Sequence, residues 1–136
     1  MRARATAPEF PAETIWSEIV GPLLDVGQAQ NLLALDNPQT VRELARKGCI
    51  LALDGSGGRD LYPAFQFDPA GHPYPELAKV VDAFSDVVET PYTIASWFVS
   101  PQDLLDGETP VDWMRSQKDP SRLLAAAKRS AGELTL

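Results

Sequence analysis

The stretch SWFVSPQDLLDGETPVDWM, residues 96–114, carries two of the three tryptophans of the chain. It joins an apolar helix end to a tight turn and a second helix start. Trp97, Phe98, Leu104 and Leu105 precede the turn, and Val111, Trp113 and Met114 follow it. Gly107 can take a positive φ without steric cost. Pro110 suits the first turn of a new helix, with Thr109 as its N-cap. The segment therefore reads as helix, glycine turn and capped helix, its aromatics to one side. Packing alone accounts for such a hairpin, since tryptophan is usually buried.

Working upstream, residues 76–89 form the clearest helical pattern, with Leu77, Val80, Val81, Phe84, Val87 and Val88 in one apolar stripe. A further helix is expected over residues 92–99. Before these, residues 12–20 and 26–35 read as two helices. Pro38, capped by Asn37, opens a third that runs to Lys47 and stops at Gly48. The pair over 26–47 has the spacing of a helix-turn-helix. Residues 49–53 and 61–67 are strand candidates around the turn 54–60, with Pro63 weakening the second. Helix-turn-helix plus hairpin gives a winged helix-turn-helix, similar to the small winged domains of the MerR and excisionase type. Downstream, residues 121–133 read as a helix begun by Asp119-Pro120 and ended near Gly132. The expected fold is mainly α with one β-hairpin: a winged part over 12–67, then a helical module over 76–136, together one compact unit.

Composition bounds the function. A chain of 136 residues with net charge −7 is a poor bulk binder of polyanions. Residues 1–60 carry six Lys/Arg against eight Asp/Glu, and residues 61–136 six against eleven. Any DNA contact must come from a local patch. A single cysteine excludes an internal disulfide and suits a reducing cytoplasm. No apolar run approaches the ~20 residues of a membrane span, and the N-terminus, with Arg2 and Arg4, lacks the apolar core of a signal peptide.

The order Trp97, then Leu105-Asp106-Gly107-Glu108-Thr109-Pro110, then Trp113-Met114 resembles the toxin-binding domain of the MbcA/ParS/Xre antitoxins. Those domains place a tryptophan on one helix and a Leu-x-Gly-x-x-Pro step into the next. Pro101-Gln102 stands where many relatives show Pro-Asn. The stretch Pro63-Ala64-Phe65-Gln66-Phe67 resembles the Pro-x-x-Gln-Phe found upstream in that family. The resemblance spans roughly residues 16–130. It implies an antitoxin that blocks a RES-domain toxin consuming NAD⁺, as a homodimer or a hetero-oligomer with the toxin. Trp97, Leu105, Gly107, Pro110 and Trp113 would be the structural motif. Lys128, Arg129, Leu134 and Leu136, in a terminal tail, would contact the toxin.

Catalysis has little support. His72 is the only histidine and sits in a Gly-His-Pro loop. With Cys49 it makes no zinc set, and Cys49 suits a small buried hydrophobe. Gly55-Ser56-Gly57-Gly58 lacks the lysine and following helix of a phosphate loop, so it reads as a hairpin turn. No enzyme activity, metal or cofactor is expected. Gln39, Thr40, Arg42 and Arg46 lie on the exposed side of the 38–47 helix, where they could reach base edges and phosphates of operator DNA. Solvated residues on a scaffold helix would look the same. The leading reading is an antitoxin that sterically blocks a RES-type toxin, with autoregulation through operator DNA as an optional further role; the alternative is a small winged DNA-binding regulator without a toxin partner.

Overall fold

The computed structural model describes residues 11–134. Arg2, Arg4 and Leu136 lie outside the described residues. The elements run α1 (Pro11–Val20), β1 (Leu23–Leu24), α2 (Val26–Leu33), α3 (Pro38–Arg46), β2 (Leu53–Asp54), β3 (Asp60–Pro63), α4 (Leu77–Phe84), α5 (Pro91–Phe98), α6 (Pro110–Arg115) and α7 (Pro120–Leu134). The fold is mainly α with a small antiparallel sheet, strand order β1-β3-β2.

The expected hairpin is present, but shorter and part of a larger sheet. Leu53 faces Leu61 and Asp54 faces Asp60. The other edge of β3 takes β1, with Leu23 opposite Pro63 and Leu24 opposite Tyr62. The sequence reading missed β1, because a two-residue apolar pair between Gly21-Pro22 and Asp25 has no periodicity. It also extended both hairpin strands too far. Pro63 ends β3, and residues 64–66 turn into one 3₁₀ turn. The Gln66 side chain then replaces a strand partner. Its Oε1 accepts from the Leu51 N–H at 2.6 Å, and its Nε2 donates to the Leu51 and Pro63 carbonyls at 2.9 and 3.0 Å. Gln66 is fully buried, so an amide with both donor and acceptor answers backbone groups that would otherwise be stranded.

Helix boundaries follow local chemistry. Asp25 and Gln28 form a capping box on α2: each accepts from the other's backbone N–H, at 2.8 and 2.9 Å. Asn37 caps α3 by accepting from the Thr40 N–H at 3.0 Å. The helix closes in a Schellman motif, where Gly48 and Cys49 donate to the Ala45 and Leu44 carbonyls and Gly48 takes φ 80. That turn leaves Cys49 exposed, correcting its expected burial. Helix α4 stops at Phe84, short of the expected Glu89. The Ser85 hydroxyl donates to the Asp82 carbonyl, and such a side chain competes with continued helix. The apolar Val87 and Val88 pack from the turn that follows. Helix α7 runs through Gly132 to Leu134, so residues 128–134 are helix and not a tail.

A single buried cluster takes in Val41, Leu53 and Tyr62 from the first half and Leu77, Phe84, Trp97, Phe98, Leu105, Trp113 and Leu123 from the second. The loop between β3 and α4 is pressed onto α2. Asp68 holds it by accepting from the Ala70 and His72 N–H groups, both at 2.9 Å. Gly71 there has φ +89, and a Cβ on it would lie 2.4 Å from the Leu32 carbonyl oxygen.

Candidate nucleic-acid interface and the helical module

Helices α2 and α3 are joined by residues 34–37. Ala34 turns the chain in the left-handed region, φ 57 and ψ 44. Its N–H donates to the Asn31 carbonyl and that of Leu35 to Gln30. Val41 is fully buried, and Leu44 and Ala45 pack against the same core. Anchoring these turns the opposite side outward. Gln39, Arg42, Glu43 and Arg46 fall at i, i+3, i+4 and i+7, one stripe about 10 Å long at 1.5 Å per residue. Gln39, Arg42 and Arg46 are exposed, and Lys47 extends the stripe.

Not all of these groups are equally available. The Thr40 hydroxyl donates to the Asn37 carboxamide at 3.3 Å, so it belongs to the cap. Arg46 pairs with Glu43. The pair is exposed, and such pairs contribute ~0–1 kcal/mol, so another anion could displace Glu43. Arg42 makes no ion pair among the described residues. Tyr62 lies near it, on the central strand. Its hydroxyl is buried without a hydrogen-bond partner among the described residues. Burial pushes the Tyr62 phenol up; Asp60 adds to the rise and Arg42 opposes it.

The hairpin beyond α3 turns through Ser56–Gly58, with Gly57 and Gly58 at φ 66 and 76. The Gly55 N–H donates to the Arg59 carbonyl at 2.6 Å and closes the turn. Arg59 is exposed there. From sequence the segment is a hairpin turn, and the structure adds that Arg59 stands at the end of its glycine run. The hairpin base is tied to the second half of the chain, because the Tyr92 hydroxyl donates to the Asp54 carbonyl. The ring of Trp16 rests 4.7 Å from that of Tyr92.

The aromatic motif of residues 97–113 is structural. Thr109 caps α6 by accepting from the Asp112 N–H at 3.1 Å, with Pro110 at the first turn. Asp106 and Gly107 both take positive φ, 58 and 83. Trp97, Leu105 and Trp113 are buried. The Trp97 indole donates to the Ser130 hydroxyl at 2.8 Å, and that of Trp113 to the Asp119 carbonyl at 2.7 Å. Both bonds bind α7 to the hairpin. Arg122 adds a third tie by donating to the Leu104 carbonyl at 2.6 Å while its guanidinium lies 5.1 Å from the Trp113 ring.

The four expected toxin contacts do not form one surface. Lys128 is exposed and faces a groove beside α4. Arg129 faces a small cleft against Gln102, Asp103 and Leu104, on another side of α7, 3.9 Å from the Glu133 carboxylate. Leu134 is 52% exposed at the helix end, and Leu136 lies outside the described residues. Among the described residues, no three of His, Cys, Asp or Glu gather as metal ligands. No helix among them is long and apolar enough to cross a membrane.

This arrangement has a solved counterpart. The chain is similar in fold to the protein in the NMR structure of Rv2175c. The TM-score is 0.68 over 81% of each chain, at 21% sequence identity. No protein-family model matches the sequence, and neither does any curated protein. At that identity, the likeness to Rv2175c concerns the fold.

Proposed function

We propose that this chain is a winged helix-turn-helix DNA-binding protein, with α3 as the recognition helix and the β2–β3 hairpin as the wing. The observation that carries the reading is the α3 stripe: Gln39, Arg42 and Arg46 face outward because Val41 is anchored beneath them. Element order supports it, with a helix and short strand before the helix pair, then a hairpin whose inner strand pairs back to β1. Gln39 near the helix start can present its carboxamide to a base edge, while Arg42, Arg46 and Lys47 take guanine or phosphate. The wing brings Arg59 to the flanking backbone. Such a protein positions by phosphates and specifies by bases. Acidic charge elsewhere keeps the remaining surface off DNA.

The test is fluorescence anisotropy with duplexes from the region upstream of the gene. With three or four phosphate contacts, the slope of log K against log salt should be about −3. Arg42→Ala should reduce that slope by about one. A folded protein that leaves every such duplex unbound at low salt overturns the reading.

A second reading is an antitoxin that occludes a RES-type toxin. It is supported by the aromatic motif of residues 97–113, whose bonds fix α7 on the helical hairpin; Lys128 and Arg129 face different sides of α7, so they would not meet the toxin as one surface. Co-expression survival with a RES toxin encoded beside the gene tests it; no protection overturns it.

A further inference from the structure

The wing is a short lever. Two residue pairs join β2 to β3: Leu53 with Leu61, then Asp54 with Asp60. Beyond them the tip is closed on itself. The Gly55 N–H donates to the Arg59 carbonyl at 2.6 Å, and the Arg59 N–H to the Ser56 carbonyl at 3.3 Å. The tip therefore moves as one piece, and its direction is set at its base. That base is weakly held by its own strands. Asp54 and Asp60 lie directly opposite, and like charges so placed destabilise a strand pair. Neither carboxylate makes an ion pair among the described residues. β2 is also an edge strand, so no further strand braces its outer side.

The brace comes from a residue 38 positions along the chain, where the Tyr92 hydroxyl donates to the Asp54 carbonyl. Local chemistry fixes the place of Tyr92. The Thr90 hydroxyl caps α5 by accepting from the Tyr92 N–H at 3.3 Å, and Pro91 occupies the first turn. Ile94, Ala95, Trp97 and Phe98 bury the rest of α5 in the core, so the helix is a firm platform. The ring of Trp16, from α1, packs on the ring of Tyr92 at a tilt of 49°. Cap, core and neighbouring ring together deliver the hydroxyl to the base of the wing.

We propose that Tyr92 is a positioning residue of the DNA interface: its hydroxyl sets the angle at which the wing carries Arg59 beside α3. The role at DNA rests on the winged helix-turn-helix reading; the tie between Tyr92 and the wing does not. A wing already held in its bound orientation has less freedom to lose on binding. The helical module thereby takes a share in DNA affinity without a contact of its own to the duplex.

Three variants test this: Tyr92→Phe, which keeps the ring against Trp16 and removes the hydroxyl, Arg59→Ala, and the two combined. Anisotropy is read over a range of salt with duplexes from the region upstream of the gene. Amide ¹⁵N order parameters are read on the free protein. Tyr92→Phe should melt within about 5 °C of the parent and bind about fivefold more weakly. Its slope of log K against log salt should fall by about one, as in Arg59→Ala. The combined variant should bind no more weakly than Arg59→Ala alone, because both changes remove the same contact. In the free protein, order parameters over residues 55–59 should fall in Tyr92→Phe, while those of α3 keep their parent values. Losses that add in the combined variant overturn the assignment, since Tyr92 would then act elsewhere than through the wing. So do unchanged binding by Tyr92→Phe and wing amides that do not respond to it. A parent chain that binds no duplex, with wing amides that still loosen in Tyr92→Phe, overturns the DNA reading and supports the tie.

Discussion

Replacing Gln66 by methionine keeps the length of the side chain and removes its polarity. Three hydrogen bonds disappear, to the Leu51 N–H, the Leu51 carbonyl and the Pro63 carbonyl. All three groups belong to buried residues. A stranded buried donor costs about 1–3 kcal/mol, and carbonyls with a second lone pair cost somewhat less. Taking about 2 for the N–H and about 1 for each carbonyl gives a loss near 4 kcal/mol. A domain of this size has about 5–15 kcal/mol in total. The melting temperature should therefore fall by roughly 10–15 °C, read by circular dichroism and confirmed by urea titration with unchanged m-value. Gln66→Glu supplies an independent sign. Its carboxylate can still accept from Leu51 but faces two carbonyl oxygens, so its folded-state pKa is raised. Its deficit should be smallest near pH 4 and grow as pH rises through that raised value. A Gln66→Met variant that melts within about 2 °C of the parent would refute the claim that this amide completes the sheet.

Other consequences follow from single positions. Gly71→Ala should cost about 2–4 kcal/mol, since its Cβ would meet the Leu32 carbonyl oxygen at 2.4 Å; an unchanged urea midpoint would contradict the loop packing. Tyr62→Phe removes a buried hydroxyl without a partner and should be neutral or stabilising by about 1 kcal/mol. The Tyr62 phenol is pushed up in the folded state, so its contribution is intact below pH ~10 and is lost as pH rises beyond it. The phenylalanine variant should accordingly lose less stability on alkaline titration, and an identical alkaline slope would argue against it. Glu43→Ala removes a negative charge from the α3 stripe and releases Arg46, so DNA affinity should rise several-fold in anisotropy; weaker binding would mean that Glu43 itself reads the DNA.

Much of the fold was legible because its signals are local. Asn37-Pro38 and Thr109-Pro110 each carry a cap and a first-turn proline, and both open helices where the sequence places them. Gly48 ends α3 for the same local reason. The errors arise where a distant group decides. Nothing near Cys49 or Ile50 says that a glutamine side chain will serve as the partner of Leu51. The two residues of β1 become a strand only because β3 lies beside them. Gly132 was read as a helix end, yet Ala131 is buried and Ser130 is held by Trp97 from a different helix. The candidate site divides similarly. The exposed stripe of α3 follows from its own periodicity, which places Val41 inward and Arg42 outward. The groove along α4 and α7 joins segments about forty residues apart in sequence, brought together by the direct packing of the two helices.

The central claim, that α3 and the wing contact DNA, is tested most directly by amide chemical-shift mapping. The ¹⁵N-labelled protein is titrated with the duplex that binds it best in anisotropy. Shift changes should concentrate over residues 37–47 and 55–60 and be smaller in Arg42→Ala, with residues 76–134 nearly silent. Changes concentrated on α4–α7, with α3 unmoved, would contradict it.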